Sequence, residues 1–195
     1  PSVGSISLRR AAMRGARPVA IASGKRVMRI LMVKGSSFNR AVPQYSYPLG
    51  LMYLASYLRE QQPGHGIRLL DLRCHRDAYS LLEKRLRDWN PDVVAVSALT
   101  CEAESLHRTA QMARGLTDGA KVIAGGPHIS ACTSDVVKDD NVDVLVRGEG
   151  ERAFAELISR IDSGEPLAGA PGTAVREDGD VHWEDPDEPI SDLDS

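Results

Sequence analysis

A chain of 195 residues that is 42% hydrophobic can bury a substantial core, and its length suits one domain with extensions. Its longest apolar runs, such as VVAVSAL from Val93, fall far short of the ~20 residues a spanning helix needs, so no membrane span is expected. Net charge is only −3 but lopsided: no Asp or Glu precedes Glu60, whereas Asp162 to Ser195 carries eleven acidic residues and, of Lys and Arg, only Arg176.

Residues 1–27 are rich in Arg, Ser and Ala, a composition open to a targeting presequence or a nucleic-acid arm. The stretch has no aromatic side chain for base stacking, and Met28 opens a strand-like run. A basic, disordered extension is the expectation, with no nucleic-acid partner. The first strand reads MRILMVKG from Met28, and a long loop, GSSFNRAVPQYSYP, follows from Gly35 to Pro48. Leu51, Leu54, Ala55 and Leu58 then recur at i, i+3, i+4 and i+7, one face of a helix. IRLLDLR from Ile67 is the second strand. Leu81, Leu82, Leu86 and Trp89 mark a second helix behind Asp77, a candidate N-cap. DVVAVSAL from Asp92 precedes a third helix carrying Ala103, Leu106, Ala110 and Ala113. KVIAGG from Lys121 leads to a fourth helix expected from Ser130 to Asp139, and VDVLVRG from Val142 to a fifth with Phe154, Leu157, Ile158 and Ile161 on one side. After Gly164 the pattern changes. GTAVREDGDVHW holds Asp178-Gly179 between two short β-prone runs and predicts a hairpin, and the acidic EDPDEPISDLDS reads as a linker.

Strands apolar on both faces and alternating with helices are the pattern of a buried parallel sheet wound in both directions. The expected fold is α/β, flavodoxin-like, with a five-stranded sheet in the order 2-1-3-4-5 and a C-terminal β-hairpin. Ligands of such sheets bind beyond the carboxyl ends of the strands. That rule selects five loops: Gly35–Pro48, RCHRD from Arg73, SALTCE from Ser97, GGPHIS from Gly125 and GEGE from Gly148. Gly125 and Gly126 either let a bulky ligand approach the backbone or merely form a tight turn. Ser97 and Thr100 offer hydroxyls to a ligand's polar tail, with capping of the third helix the reading preferred for Thr100. Glu149 and Glu151 flank a helix start, where the helix dipole already accounts for carboxylates. His75 and His128 could ligate a metal or shuttle a proton, but neither has a partner at ligand spacing. Cys74, Cys101 and Cys132 lie 27 and 31 residues apart with no CxxC pair. They are read as core or loop thiols in a reducing cytoplasm.

Taken together, PLGLMYLASYLR from Pro48, PDVVAVSALT from Pro91, AGGPHIS from Ala124 and VRGEGERAFAEL from Val146 resemble the cobalamin-binding domain at the N-terminus of cobalamin-dependent radical S-adenosylmethionine enzymes. The resemblance runs from Met28 to about Ile161, and PISDLDS from Pro189 looks like the linker that precedes the radical domain. It implies a cobalamin-binding domain at 28–164, with 165–195 as hairpin and linker toward that domain. The CxxxCxxC motif of the iron–sulfur cluster is absent, so the cluster and S-adenosylmethionine would belong to the parent enzyme, a methyltransferase acting on an inert carbon or phosphorus. By resemblance the cofactor would be held by Gly35, Ser36, Ser37, Phe38, Tyr45, Pro48, Ser97, Leu99, Thr100, Gly125, Gly126, His128, Gly148 and Glu149. No residue is assigned as catalytic or as a metal ligand. Methionine-synthase-type domains carry DxHxxG after the first strand; here SSFNRA stands in its place, with Phe38 at the histidine, so cobalt is expected to have no protein nitrogen below it. The alternatives are a degenerate domain kept as a scaffold and the module of a porphyrin-type cyclase. A response regulator is disfavoured because no carboxylate follows the first strand before Glu60.

Overall fold

The computed structural model describes residues 27–37, 46–177 and 180–185. Residues 1–26, 38–45, 178–179 and 186–195, with the basic extension, the centre of the expected hairpin turn and the acidic linker expected there, therefore lie outside the described residues. Strands β1 (Arg29–Lys34), β2 (Gly66–Asp71), β3 (Val93–Ser97), β4 (Lys121–Gly125), β5 (Val144–Val146), β6 (Thr173–Glu177) and β7 (Asp180–Trp183) form one sheet in the order β2-β1-β3-β4-β5-β6-β7. The first five are parallel, as their two-sided apolar sequences require. The hairpin is present, but it is no appendage: β6 pairs antiparallel with β5, and β7 with β6. The sheet therefore has seven strands rather than five.

Alternation along each strand divides the core in two. Leu31, Val33, Val94, Val96, Val122 and Ala124 face helices α2 (Ala78–Trp89), α3 (Ala103–Leu116) and α4 (Pro127–Val136), whose Leu82, Leu86, Leu106, Ala110 and Ile129 are buried against them. Ile30, Met32, Ala95, Ile123 and Val144 face α1 (Leu49–Gln61) and α5 (Glu151–Ser163), which contribute Leu51, Ala55, Leu58, Phe154, Leu157 and Ile158. Burying a Leu, Ile or Phe side chain is worth about 1.5–3 kcal/mol, so these two layers dominate the fold's stability.

Helix ends differ from the sequence expectation in two places. Asp77 occupies the position before α2, but its side chain makes no capping bond. Helix α4 begins at Pro127, three residues before the expected Ser130, because proline lacks only an N–H that the first helical turn leaves unpaired anyway. It bends at Cys132, whose φ of −131° is not helical. The other ends follow rule: α2 stops at Asn90 (φ 43°) and α5 at Gly164 (φ 73°), both left-handed. No helix among the described residues is long and apolar enough to cross a membrane.

Candidate cofactor site

The last residues of the parallel strands stand side by side: Lys34 is in register with Asp71 and Ser97, and Ser97 with Gly125. They share the parity of Met32, Ala95 and Ile123, so they lie on the α1/α5 face. A cleft of about 580 Å³ opens there. Ala95, Ser97, Ile123 and Gly125 form its floor, Leu51 and Leu54 of α1 one wall, and Phe154 and Glu151 of α5 the other. Its position is the sheet's switch point, where β1 gives way to β3 and successive crossovers change direction.

The adjacent glycines have different reasons to be glycine. Gly126 has φ +96°, and a Cβ there would come within 2.8 Å of Ser97 Oγ and 3.0 Å of the Ala98 carbonyl, so the turn itself demands it. Gly125 meets no such demand. Its nearest neighbours would be the Val146 carbonyl at 3.8 Å and Val146 Cβ at 3.9 Å, ordinary contacts, so packing leaves room for a side chain that the sequence omits. The omission keeps the floor open.

Two cationic side chains line the cleft, and both are neutralised in place. Lys34, only 8% exposed, forms an ion pair with Glu102, which is 3% exposed. Glu102 Oε2 also accepts the Leu99 N–H at 2.8 Å. Arg73 donates from Nη2 to Asp71 Oδ2 at 2.7 Å and from Nε to Oδ1 at 2.9 Å, while Nη2 also reaches the Ser46 carbonyl at 2.7 Å. Burial pushes the Asp71 carboxyl up, but the hydrogen bonds and charge of Arg73, aided by Lys34, outweigh it and hold it below its usual value. The Asp71 hydrogen bond in turn raises Arg73, against the opposing effect of burial.

Of the residues singled out in sequence, Pro48, Ser97, Leu99, Gly125, Gly126, Gly148 and Glu149 line the cleft. Gly35, Ser36, Ser37, Thr100 and His128 do not. Gly35 is buried beneath the Ser97 loop, with its N–H on the Ser97 carbonyl at 3.0 Å, and a Cβ there would press on Glu102 Cβ at 3.3 Å. The Ser36 N–H goes to Ser105 Oγ at 3.0 Å and the Ser36 hydroxyl to the Ser37 carbonyl, so this turn closes on α3. Thr100 is exposed at the start of a 3-10 turn that runs to Glu102, and its side chain caps nothing; the Glu102 carboxylate takes that part at Leu99. His128 is 6% exposed, with its backbone N–H on the Ala98 carbonyl at 3.1 Å. Its Nδ1 is buried without a protein partner among the described residues. Phe38 and Tyr45 lie outside the described residues. Arg73 opens one of the loops selected in sequence but was not singled out there, and neither was Lys34, whose signal is a charge closing the apolar run Ile30–Val33. No group of three or more His, Cys, Asp or Glu side chains among the described residues is arranged to hold a metal ion.

The B12 binding domain model matches residues 36–158, well over half of the chain. The chain belongs to the B12-binding domain family. An uncharacterized methyltransferase of Pyrococcus horikoshii is 32% identical over 173 residues, which cover 87% of this chain and 37% of that protein. The anaerobic magnesium-protoporphyrin IX monomethyl ester cyclase of Rubrivivax gelatinosus is 28% identical over 153 residues, 75% of this chain and 27% of the cyclase. In three dimensions the chain is similar to the radical S-adenosylmethionine methyltransferase TsrM of Kitasatospora setae, determined with cobalamin and a 4Fe-4S cluster bound: TM-score 0.69, 23% identity, 87% of this chain and 30% of that one. The chain thus spans 27–37% of the length of these proteins. The residues present fit the family's cofactor: the open glycine floor and the apolar walls form a slot suited to the flat aromatic base of a nucleotide tail.

Proposed function

We propose that this chain is the cobalamin-binding module of a cobalamin-dependent radical S-adenosylmethionine methyltransferase that acts on an inert carbon or phosphorus. The module takes in residues 28–164, and the stretch 165–195 leads toward a C-terminal radical domain that holds the iron–sulfur cluster and S-adenosylmethionine in the parent. The observation that carries the reading is Gly125, a glycine that neither backbone angle nor packing requires and whose missing side chain keeps the cleft floor clear. The cofactor's nucleotide tail would enter between α1 and α5, over the bare Gly125 backbone, with Ser97 Oγ facing its polar groups and Leu51, Leu54 and Phe154 excluding water. Bound methylcobalamin supplies a transferable methyl group. Pro48, Gly148 and Glu149 rim the mouth beside Tyr47 and Leu49, which stand 79% and 55% exposed and offer an apolar ledge for the macrocycle. Free cysteines and the lack of a membrane-crossing helix among the described residues accord with a reducing cytoplasm. Methyl transfer is preferred to ring closure because the methyltransferase relative matches more of this chain at higher identity than the cyclase does; the cyclase likeness keeps that parent as the second reading.

The test is retention of hydroxocobalamin through gel filtration. The purified chain is expected to emerge coloured with one equivalent of cobalamin, and passage of the cofactor into the small-molecule volume would favour a scaffold that keeps the fold alone.

A further inference from the structure

We infer that Lys34 and Glu102 are positioning residues of the cleft: Glu102 holds the Leu99 N–H and so fixes the Ser97–Leu99 wall in the shape that receives the ligand, and Lys34 compensates the charge that lets this carboxylate stay buried there. The inference rests on the reading of the cleft as the cofactor's.

Removing two charges from water is costly, and a buried ion pair is seldom the most stabilising way to fill its space. Something other than stability has to account for this one. Its partners are 68 positions apart in sequence, Lys34 from the end of β1 and Glu102 from the 3-10 turn after β3. Both are almost wholly enclosed. Glu102 does not stop at the lysine: the same oxygen, Oε2, holds the Leu99 N–H at 2.8 Å, and Leu99 lines the cleft. The N–H at this bend begins the 3-10 turn and has no strand or helix to join, so the carboxylate supplies what regular structure cannot. On the other side Lys34 lies in register with Asp71, whose ionised form it favours, and Asp71 holds Arg73, which grips the Ser46 carbonyl just before Pro48. Charges of alternating sign, Glu102, Lys34, Asp71 and Arg73, therefore run beneath the cleft from one flanking loop to the other. Lys34 is the member common to both halves. The Glu102 contact sets the Leu99 rim, and the Arg73 contact the Ser46 rim, before any ligand arrives, so less ordering remains to be done on binding.

Two double variants separate positioning from bulk stability. Lys34→Met with Glu102→Met removes both charges and leaves the Leu99 N–H without its acceptor. Lys34→Met with Glu102→Gln also removes both charges but restores an acceptor to that N–H. In the ligand-free protein, amide exchange at Leu99 is expected to quicken about tenfold in the first and return toward the parent rate in the second, with core amides such as Val94 unchanged in both. Hydroxocobalamin titrated into the same proteins should bind about tenfold more weakly in the first variant and close to normally in the second, while the melting temperatures of the two stay alike. Unaltered exchange at Leu99 in the Met–Met protein would overturn the inference whatever the cofactor does. So would a parallel fall of affinity and melting temperature in both variants, since that pattern belongs to a purely structural pair. If the parent chain binds no cobalamin yet Leu99 exchange follows the expected order, the pair still fixes the wall and it is the cobalamin reading that fails.

Discussion

Gly125 and Gly126 are neighbours of identical composition, yet the physics acting on them is opposite, and substitution should separate the two. Gly126→Ala places a methyl 2.8 Å from Ser97 Oγ on a backbone at φ +96°, a strain costing about 1–3 kcal/mol. Its melting temperature should drop. A Cβ at Gly125 meets only Val146, at 3.8 Å, and the position lines the cleft, so Gly125→Leu should keep its fold and melting temperature while the side chain enters the cleft and abolishes retention of hydroxocobalamin. Normal cobalamin binding by Gly125→Leu would remove the main support for the proposed site. At Asp71 the matter is pH. The folded-state value lies below the unfolded one, so its ionisation stabilises the fold fully above about pH 4 and the contribution fades as pH falls through the folded value. Thermal melts of Asp71→Asn and the parent should therefore differ at neutral pH and converge in acid; a gap constant across the range would show that Asp71 titrates elsewhere. The same residues show what sequence can and cannot reveal. A glycine pair at a strand end is visible as a place where side chains are missing, but which of the two serves the backbone depends on φ and on Ser97, neither of which is local information. Lys34 was harder still, because its partner lies in another loop.

At the level of elements, the order of the parallel strands was readable because the central strands β1, β3 and β4 are apolar on both faces and each helix on one. Period alone then dictates layers, and the connection rule supplies the order. Helix α4 starts earlier than its sequence suggests because Gly126-Pro127 signals a turn and a helix start equally. The hairpin announced itself through Asp178-Gly179, but its docking did not. Its partner β5 is a three-residue strand, too short to advertise a free edge. That docking has a cost if undone. Ala174 and Val175 are buried, so a chain ending at Gly164 would expose β5 together with the apolar residues the hairpin covers. Unpaired apolar edges recruit other chains. The truncated protein should melt at lower temperature and elute as higher oligomers in size-exclusion chromatography, whereas a stable monomer would mean that the hairpin is dispensable.

For the whole molecule, cofactor and fold should be thermodynamically linked. A ligand present at a hundred times its dissociation constant adds about 2.7 kcal/mol to stability if it binds only the folded chain. In a domain of this size, that corresponds to a rise in melting temperature of roughly 5–10 °C. The rise should appear with hydroxocobalamin and be missing in Gly125→Leu; equal shifts in both proteins would point to binding away from the cleft. The hairpin has a further consequence, which is one of parity. The parallel strands all run toward the carboxyl edge, β6 runs back, and β7 runs forward again, with Trp183 opposite Ala174 near the start of β6. Adding two strands rather than one restores the direction of travel. The backbone at Glu184 and Asp185 is tied to Thr173 and Gly172 at that same edge. It lies two strand spacings, roughly 10 Å, from β5. A polypeptide continuing from there would start out on the side where the cleft opens, and a catalytic partner joined to it would need no long tether to reach the cofactor. One strand fewer would have launched it from the opposite end of the sheet, with the full length of the strands between them.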